Sequence, residues 1–162
     1  MTRRPIIGSL AAAFAIHLQA PAALAQPRHT LPVSFVEQAL CVHSGWHYAT
    51  ATTRRQRRHA DYWIDGRAYV RTWNVPDSVA GGSGEGGWTD VNASYGGGMQ
   101  FTLGTWNRAA ALSQERVPYA SSNAGIAGEP AVVQILAAYL IVRQDGGSWR
   151  EWPETSAACG LR

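Results

Sequence analysis

Glu85 stands just ahead of Trp88, Asp90, Tyr95, Gly96, Gly97, Gly98, Gln100 and Trp106, all within 22 residues of one another. A carboxyl held partly protonated by apolar neighbours can deliver a proton to a poor leaving group, the central need in breaking a glycosidic bond. Glu85 with Trp88 three residues on fits that requirement. Sugar rings present flat C–H faces that pack on indole and phenol rings, and Tyr95, Trp88 and Trp106 supply such rings. Glycines such as Gly97 let the backbone approach a ligand and offer N–H and C=O groups to hydroxyl and N-acetyl substituents. Gln100 carries an amide that both donates and accepts, which suits N-acetyl recognition. The same residues have plainer readings: Trp88 and Trp106 as core side chains, Gln100 as a helix-start residue bonded to backbone, and Met99 and Phe101 as packing.

The other carboxylates have simpler roles open to them. Glu37 suits a helix cap, Glu115 and Glu129 flank helices, Asp145 precedes a turn, and Glu151 and Glu154 fall in the tail. Asp90 is the nearest second carboxylate to Glu85, and it equally suits a turn with Thr89 and Asn92. A two-carboxylate mechanism needs a partner across the scissile bond. With one clear acid, a substrate-assisted route fits better, the attacking group coming from the sugar's own N-acetyl or 6-hydroxyl oxygen.

The run "EGGWTDVNASYGGGMQFTLGTW" resembles the pattern of resuscitation-promoting factors and related transglycosylase-like domains of actinobacterial type. There a Glu, a Gly pair and a Trp precede "YGGLQF" and a later "TW". The ending "WPETSAACGL", Trp152 to Leu161, resembles the "WPNTSRACGL" close of many such domains, and with the helix between them the two segments cover roughly half the chain. The resemblance implies a small lysozyme-like fold that cuts, or helps to cut, peptidoglycan between N-acetylmuramic acid and N-acetylglucosamine. It implies Glu85 as general acid, Gln100, Tyr95 and the glycine backbone as sugar-holding groups, and no cofactor. Expected partners are peptidoglycan glycan strands and, for this family, a partner cell-wall hydrolase. Hydrolysis and 1,6-anhydro formation both stay open, as does an inactive wall-glycan-binding module that keeps the groove without turnover.

The elements that must position these residues begin after a removable leader. Arg3 and Arg4, the apolar stretch Ile6 to Ile16, and Ala23-Leu24-Ala25 predict a signal peptide over residues 1–25 and a secreted protein, extracellular or cell-wall associated, with no membrane span after cleavage. Residues 26–162 then form one monomeric domain. Without Arg3 and Arg4 the basic residues number 12 against 11 acidic ones, a net charge of +1, which gives little reason to expect a nucleic-acid partner. All the basic residues are arginine. The local run Arg54 to Arg58 reads either as a solvated face or as an attraction to anionic wall polymer.

Cys41 and Cys159 are the only cysteines, and in an oxidising compartment they predict a disulfide closing a loop of more than 100 residues. Val33, Val36, Leu40 and Val42 mark a helix, with Ser34 and Glu37 in capping-box positions. Tyr62 to Ile64 and Ala68 to Trp73 flank Asp65-Gly66, the signature of a β-hairpin. Val75 to Gly84 reads as a loop into Glu85. A helix is expected over Thr105 to about Arg116, a loop over Val117 to Gly128, and a buried central helix from Glu129 to Arg143. The fold class is therefore α+β, mainly α, with a hairpin-containing insertion at about 44–84. In the resembling domains the first cysteine lies a few residues before the Glu; here 43 residues separate them. Either the insertion returns the chain to the cleft or Glu85 sits on a looser element.

Metal chemistry is a weaker rival. Cys41, His43 and His47 are close in sequence, the histidines at helical i, i+4 spacing, with His59 and Asp61 further on. The pattern lacks the Glu of an H-E-x-x-H motif, Gly45 interrupts it, and Cys41 has Cys159 as a partner. No metal site is expected.

Overall fold

A computed structural model describes residues 30–74 and 87–162. The expected signal peptide, the loop 75–84 and Glu85 lie outside the described residues. Within them the chain is an α+β domain, mainly helical, with six helices and a three-stranded antiparallel sheet.

Helix α1, Val33–Ser44, starts after Pro32 and buries Phe35, Val36, Ala39, Leu40, Cys41 and Val42. The expected capping box does not form. Ser34 falls inside the first turn rather than at the cap, and Pro32 takes the cap position with no side-chain bond. Glu37 is thereby released for a longer reach: its Oε1 accepts from the Thr50 amide at 3.1 Å and lies 3.4 Å from the Thr50 hydroxyl, tying α1 to the first strand. Gly45, left-handed at φ 68°, ends α1 and donates to the Cys41 carbonyl. A left-handed residue at this position costs a glycine little because it has no Cβ. His43 therefore stays on the helix while His47 moves to strand β1, Trp46–Thr50, and the pair does not share a helix face. With Cys41 in a disulfide, the metal-binding arrangement fails on geometry.

The hairpin forms as the sequence predicts. β2, Tyr62–Ile64, and β3, Arg67–Asn74, are joined by Asp65 and Gly66, both at positive φ. That is the backbone of the favoured two-residue hairpin turn, whose twist matches the strands. β1 adds to the other side of β3, giving the order β1-β3-β2. The sequence reading did not foresee this third strand. Between β1 and β2 the arginine run forms α2, Arg54–Arg58, closed at its start by a true capping box of Thr53 and Gln56.

Helix α3, Leu103–Leu112, is capped by Thr102 and ends four residues earlier than the sequence suggests, because Gln114 and Glu115 adopt left-handed conformations. The expected loop 117–128 holds a short helix, α4, Asn123–Ala127. Helix α5, Ala131–Gln144, is the buried central helix, with Ile135, Ala137, Ala138 and Ile141 fully enclosed, and it packs on α3 and α1. The tail contains a second unforeseen helix, α6, Pro153–Ala158, which carries the chain to Cys159. Cys41 and Cys159 are disulfide-bonded, joining α1 to the end of α6 across 118 residues of sequence.

Candidate functional site

The segment Gly87 to Phe101 has no helix or long strand, only isolated bridges pairing Gly96 with Val91 and with Phe101. Its shape is set by the helices it packs on. A Cβ at Gly96 would overlap the Asn123 backbone carbonyl, one at Gly97 the Gln134 amide, and one at Gly98 the His43 ring. Three consecutive glycines are thus each approached by a different helix, α4, α5 and α1 in turn. Substituents on any of them would push the loop off the core.

Polar groups complete the anchoring. The buried Gln134 Nε2 donates to the Trp88 carbonyl at 2.8 Å and the Glu129 carbonyl at 2.9 Å. His43 Nδ1 lies 2.9 Å from the Gly98 carbonyl, which fixes that nitrogen as the protonated one, since a carbonyl can only accept. Burial lowers the His43 pKa below its ordinary value of 6.5, the bond to Gly98 opposing that effect only in part. The ring is therefore neutral where it stacks on Trp88 at 4.0 Å between centroids.

The glycine backbone is consumed by the loop itself. Gly97 donates to the Asp90 carbonyl, while its own carbonyl accepts from the Gln100 backbone and side chain. Gly96 exchanges both bonds with Phe101, and Gly98 donates to the Trp88 carbonyl. The expectation that Gly97 and its neighbours offer peptide groups to a ligand is corrected here: the groups are buried and already paired. Trp106 is corrected likewise. It is wholly buried, packed edge-on against Phe101, with its indole N–H donated to the Pro118 carbonyl at 2.8 Å, so it is a core residue.

Other expected site residues do come together. Tyr95, 42 % exposed, and Gln100 line one wall of a cleft of about 350 Å³, with Asn92 beside them. Gln100 is held at positive φ, with its Oε1 accepting from Asn92 and its Nε2 bonded to the Gly97 carbonyl and 3.4 Å from Asp90. Asp90 also accepts from the Val91 amide, and Asn92 accepts from the amides of Ser94 and Tyr95. These turn bonds match the plainer reading of Asp90 and Asn92. Trp88 is half-buried, one ring face covered by His43.

The opposite wall is Glu151, Trp152, Pro153, Glu154 and Thr155. The two walls are bonded directly, the Trp152 indole donating to the Met99 carbonyl at 2.6 Å. Glu151 is anchored to α3 by Arg108 at 3.0 Å and by the Thr105 hydroxyl at 3.1 Å. Glu154, in the first turn of α6, is exposed. Reading Glu151 and Glu154 as tail residues misses their place in this wall, although the Trp-Pro-Glu-Thr sequence signals a helix start with Pro in its first turn.

The lining therefore offers a phenol, carboxylates, and two amides held in fixed orientation, of which one Asn92 N–H and one lone pair of Gln100 Oε1 remain beyond their mutual and backbone bonds, with apolar surface from Tyr95, Trp152 and Pro153. Its volume falls at the small end of ligand sites, which span about 300–1,000 Å³. Such a lining suits a neutral, hydroxyl- and amide-bearing ligand better than an anion. No protein-family model matches this chain, and neither the curated proteins nor the solved structures yield a match.

Proposed function

We propose that this chain is an exported enzyme that cleaves peptidoglycan between N-acetylmuramic acid and N-acetylglucosamine, of lytic transglycosylase or muramidase type. The observation that carries the reading is the cleft: Asn92, Tyr95 and Gln100 line one wall and Glu151 to Thr155 the other, and the walls are bonded by Trp152 and Met99. Tyr95, Gln100 and Asn92 would hold the sugar through stacking and amide hydrogen bonds. Glu85, two residues before Gly87 in sequence, would protonate the glycosidic oxygen as general acid. Export is supported by the Cys41–Cys159 disulfide, a bond that persists in oxidising compartments, and no described helix is long and apolar enough to cross a membrane.

The test is digestion of purified peptidoglycan by the native protein and by Glu85→Gln, with released muropeptides resolved by mass spectrometry. Products from the native protein alone are expected, and anhydro or reducing muramic ends would name the reaction. Binding without products, equal in both forms, would replace the enzyme with a wall-glycan-binding module.

A further inference from the structure

The outer face of the sheet is built unlike the rest of the surface. Cross-strand partners share a face, so Trp63 lies with Ala68, and Ala49 with Val70. Tyr69 and its partners Thr50 and Tyr62 lie on the other face, toward the core. By simple alternation Trp73 would fall on that inner side with Tyr69 and Arg71. It does not, because the pairing jumps from Tyr48 with Arg71 to His47 with Trp73. Thr72 is the extra residue of a β-bulge, its hydroxyl donating to the His47 carbonyl at 3.1 Å. One inserted residue reverses which face the following side chain occupies. Trp73 is thereby turned outward, stacked on His47 at 3.6 Å and still 55 % exposed. Trp63 is 60 % exposed. Two open indoles on one sheet face, one of them placed there by a bulge, contribute little to the core.

The same region holds the uncompensated charge. Residues 46–74 carry six arginines against two aspartates, a net +4 with histidines neutral. Both aspartates are already engaged, Asp61 by Arg71 at 2.9 Å and Asp65 by Arg67 at 3.9 Å. Arg54, Arg55, Arg57 and Arg58 are exposed and have no ion pair among the described residues. α2 packs on β3, and Ala68, on the outward side of β3, is buried although it is no part of the main core. α2 itself buries nothing. Its four arginines are exposed, Arg57 donating to the Thr52 carbonyl at 3.0 Å, and the two indoles keep more than half their surface open.

We propose that this face is a second binding site, for an anionic glycan polymer, separate from the cleft. Guanidinium groups would pair with carboxylate or phosphate groups along the polymer while Trp63 and Trp73 stack on sugar faces. The indoles stand apart along the strand direction, one opposite Ala68 and one four ladder steps further on, Thr72 being the extra residue of the bulge, roughly 13 Å. That spacing suits an extended chain better than a compact ligand. The disulfide favours a polymer found outside the cytosol over nucleic acid, and two separated indoles lack the continuous apolar face that a lipid surface requires. The site does not depend on whether Glu85 cleaves anything.

The test measures binding of the disulfide-bonded protein to polygalacturonate, with dextran, oligothymidylate and phosphatidylglycerol vesicles as competing probes. The polygalacturonate complex should be the tightest of the four. Trp63→Ala/Trp73→Ala, and separately glutamine in place of Arg54, Arg55, Arg57 and Arg58, should each weaken it by about tenfold or more. Unchanged melting temperatures would show that these exposed substitutions leave the fold intact. Loss in the arginine variant alone would reduce the site to general charge attraction and overturn the proposal. Tighter binding of oligothymidylate or vesicles, or no binding to polygalacturonate, would overturn it as well.

Discussion

The irregular segment 87–101 and the sheet region 46–74 both pack on the same helical core, yet they spend their polar and aromatic groups in opposite ways. In the first, peptide groups pair with one another and with His43 and Gln134, and Trp88 lies against His43. In the second, two tryptophans and four arginines remain open to solvent. Charge follows the same division, residues 87–162 carrying five arginines against six acids while 46–74 carries a net +4. A loop that must hold a few groups in fixed positions is fastened at many points. A face that meets a long, variable polymer needs only a firm sheet beneath it.

The strongest way to break that contrast is through the disulfide. Cys41 lies just before the turn into the sheet region and Cys159 just after the helix that forms the cleft wall, so one bond secures both. Replacing Cys41 and Cys159 by serine should cost up to about 5 kcal/mol, the chain-entropy value for a loop of this length. Denaturant unfolding checks this, and it should show a lower midpoint with a steeper slope, because the unfolded chain without the bond is less compact.

A smaller effect probes the fastening of the cleft loop. Gly96→Ala sets a methyl group against the Asn123 backbone, which has no side-chain freedom with which to yield. The expected cost is about 1–3 kcal/mol, the range for overpacking a close contact. Thermal unfolding would measure it, and the same substitution at Gly66, whose added Cβ meets nothing, should strain only the turn through its φ of 74°. A loss at Gly96 no greater than at Gly66 would show that the loop is not held against α4.

The smallest effect is a pH dependence. Burial holds His43 below its ordinary pKa of 6.5, so the folded state favours the neutral ring. As pH falls below 6.5 the unfolded chain binds the proton first, and stability drops until the folded ring also protonates. The contribution is complete above 6.5 and lost on the acid side. His47 is shifted in the same direction by burial and would remain. The fall in melting temperature between pH 7.5 and 5.5 should therefore shrink, without vanishing, in His43→Gln, which keeps a donor for the Gly98 carbonyl.

Much of the fold was legible because it rests on local signals. The Asp65-Gly66 turn, the apolar periodicity of α5 and the lone cysteine pair each act over a short stretch or admit one answer. Other features were hidden for definite reasons. β1 was missed because Trp46 to Thr50 becomes a strand only when β3 lies beside it, and Gly45 could be seen as a helix stop without revealing the strand beyond it. The Ser34–Glu37 box failed because a start two residues earlier, with Pro32 at the cap, left Glu37 free to reach Thr50. α6 was concealed by its length, six residues being too few for a periodic pattern.

The candidate site divides along the same line. Residue types told which groups could handle a sugar, and Tyr95 and Gln100 do reach the cleft. That Gly97 and Trp106 serve the interior, and that Glu151 and Glu154 form the facing wall, depended on packing between separate elements, Gly97 against Gln134, Trp106 against Pro118 and Met99 against Trp152. By itself the sequence determined the helical core, the hairpin turn and the disulfide, since hydrophobic period, turn chemistry and cysteine count are properties of the chain. Only the tertiary structure decided which polar groups are spent and which are free. A peptide or indole group has the same chemistry wherever it falls, and its availability depends on whether another part of the chain has already met its hydrogen bonds and covered its surface.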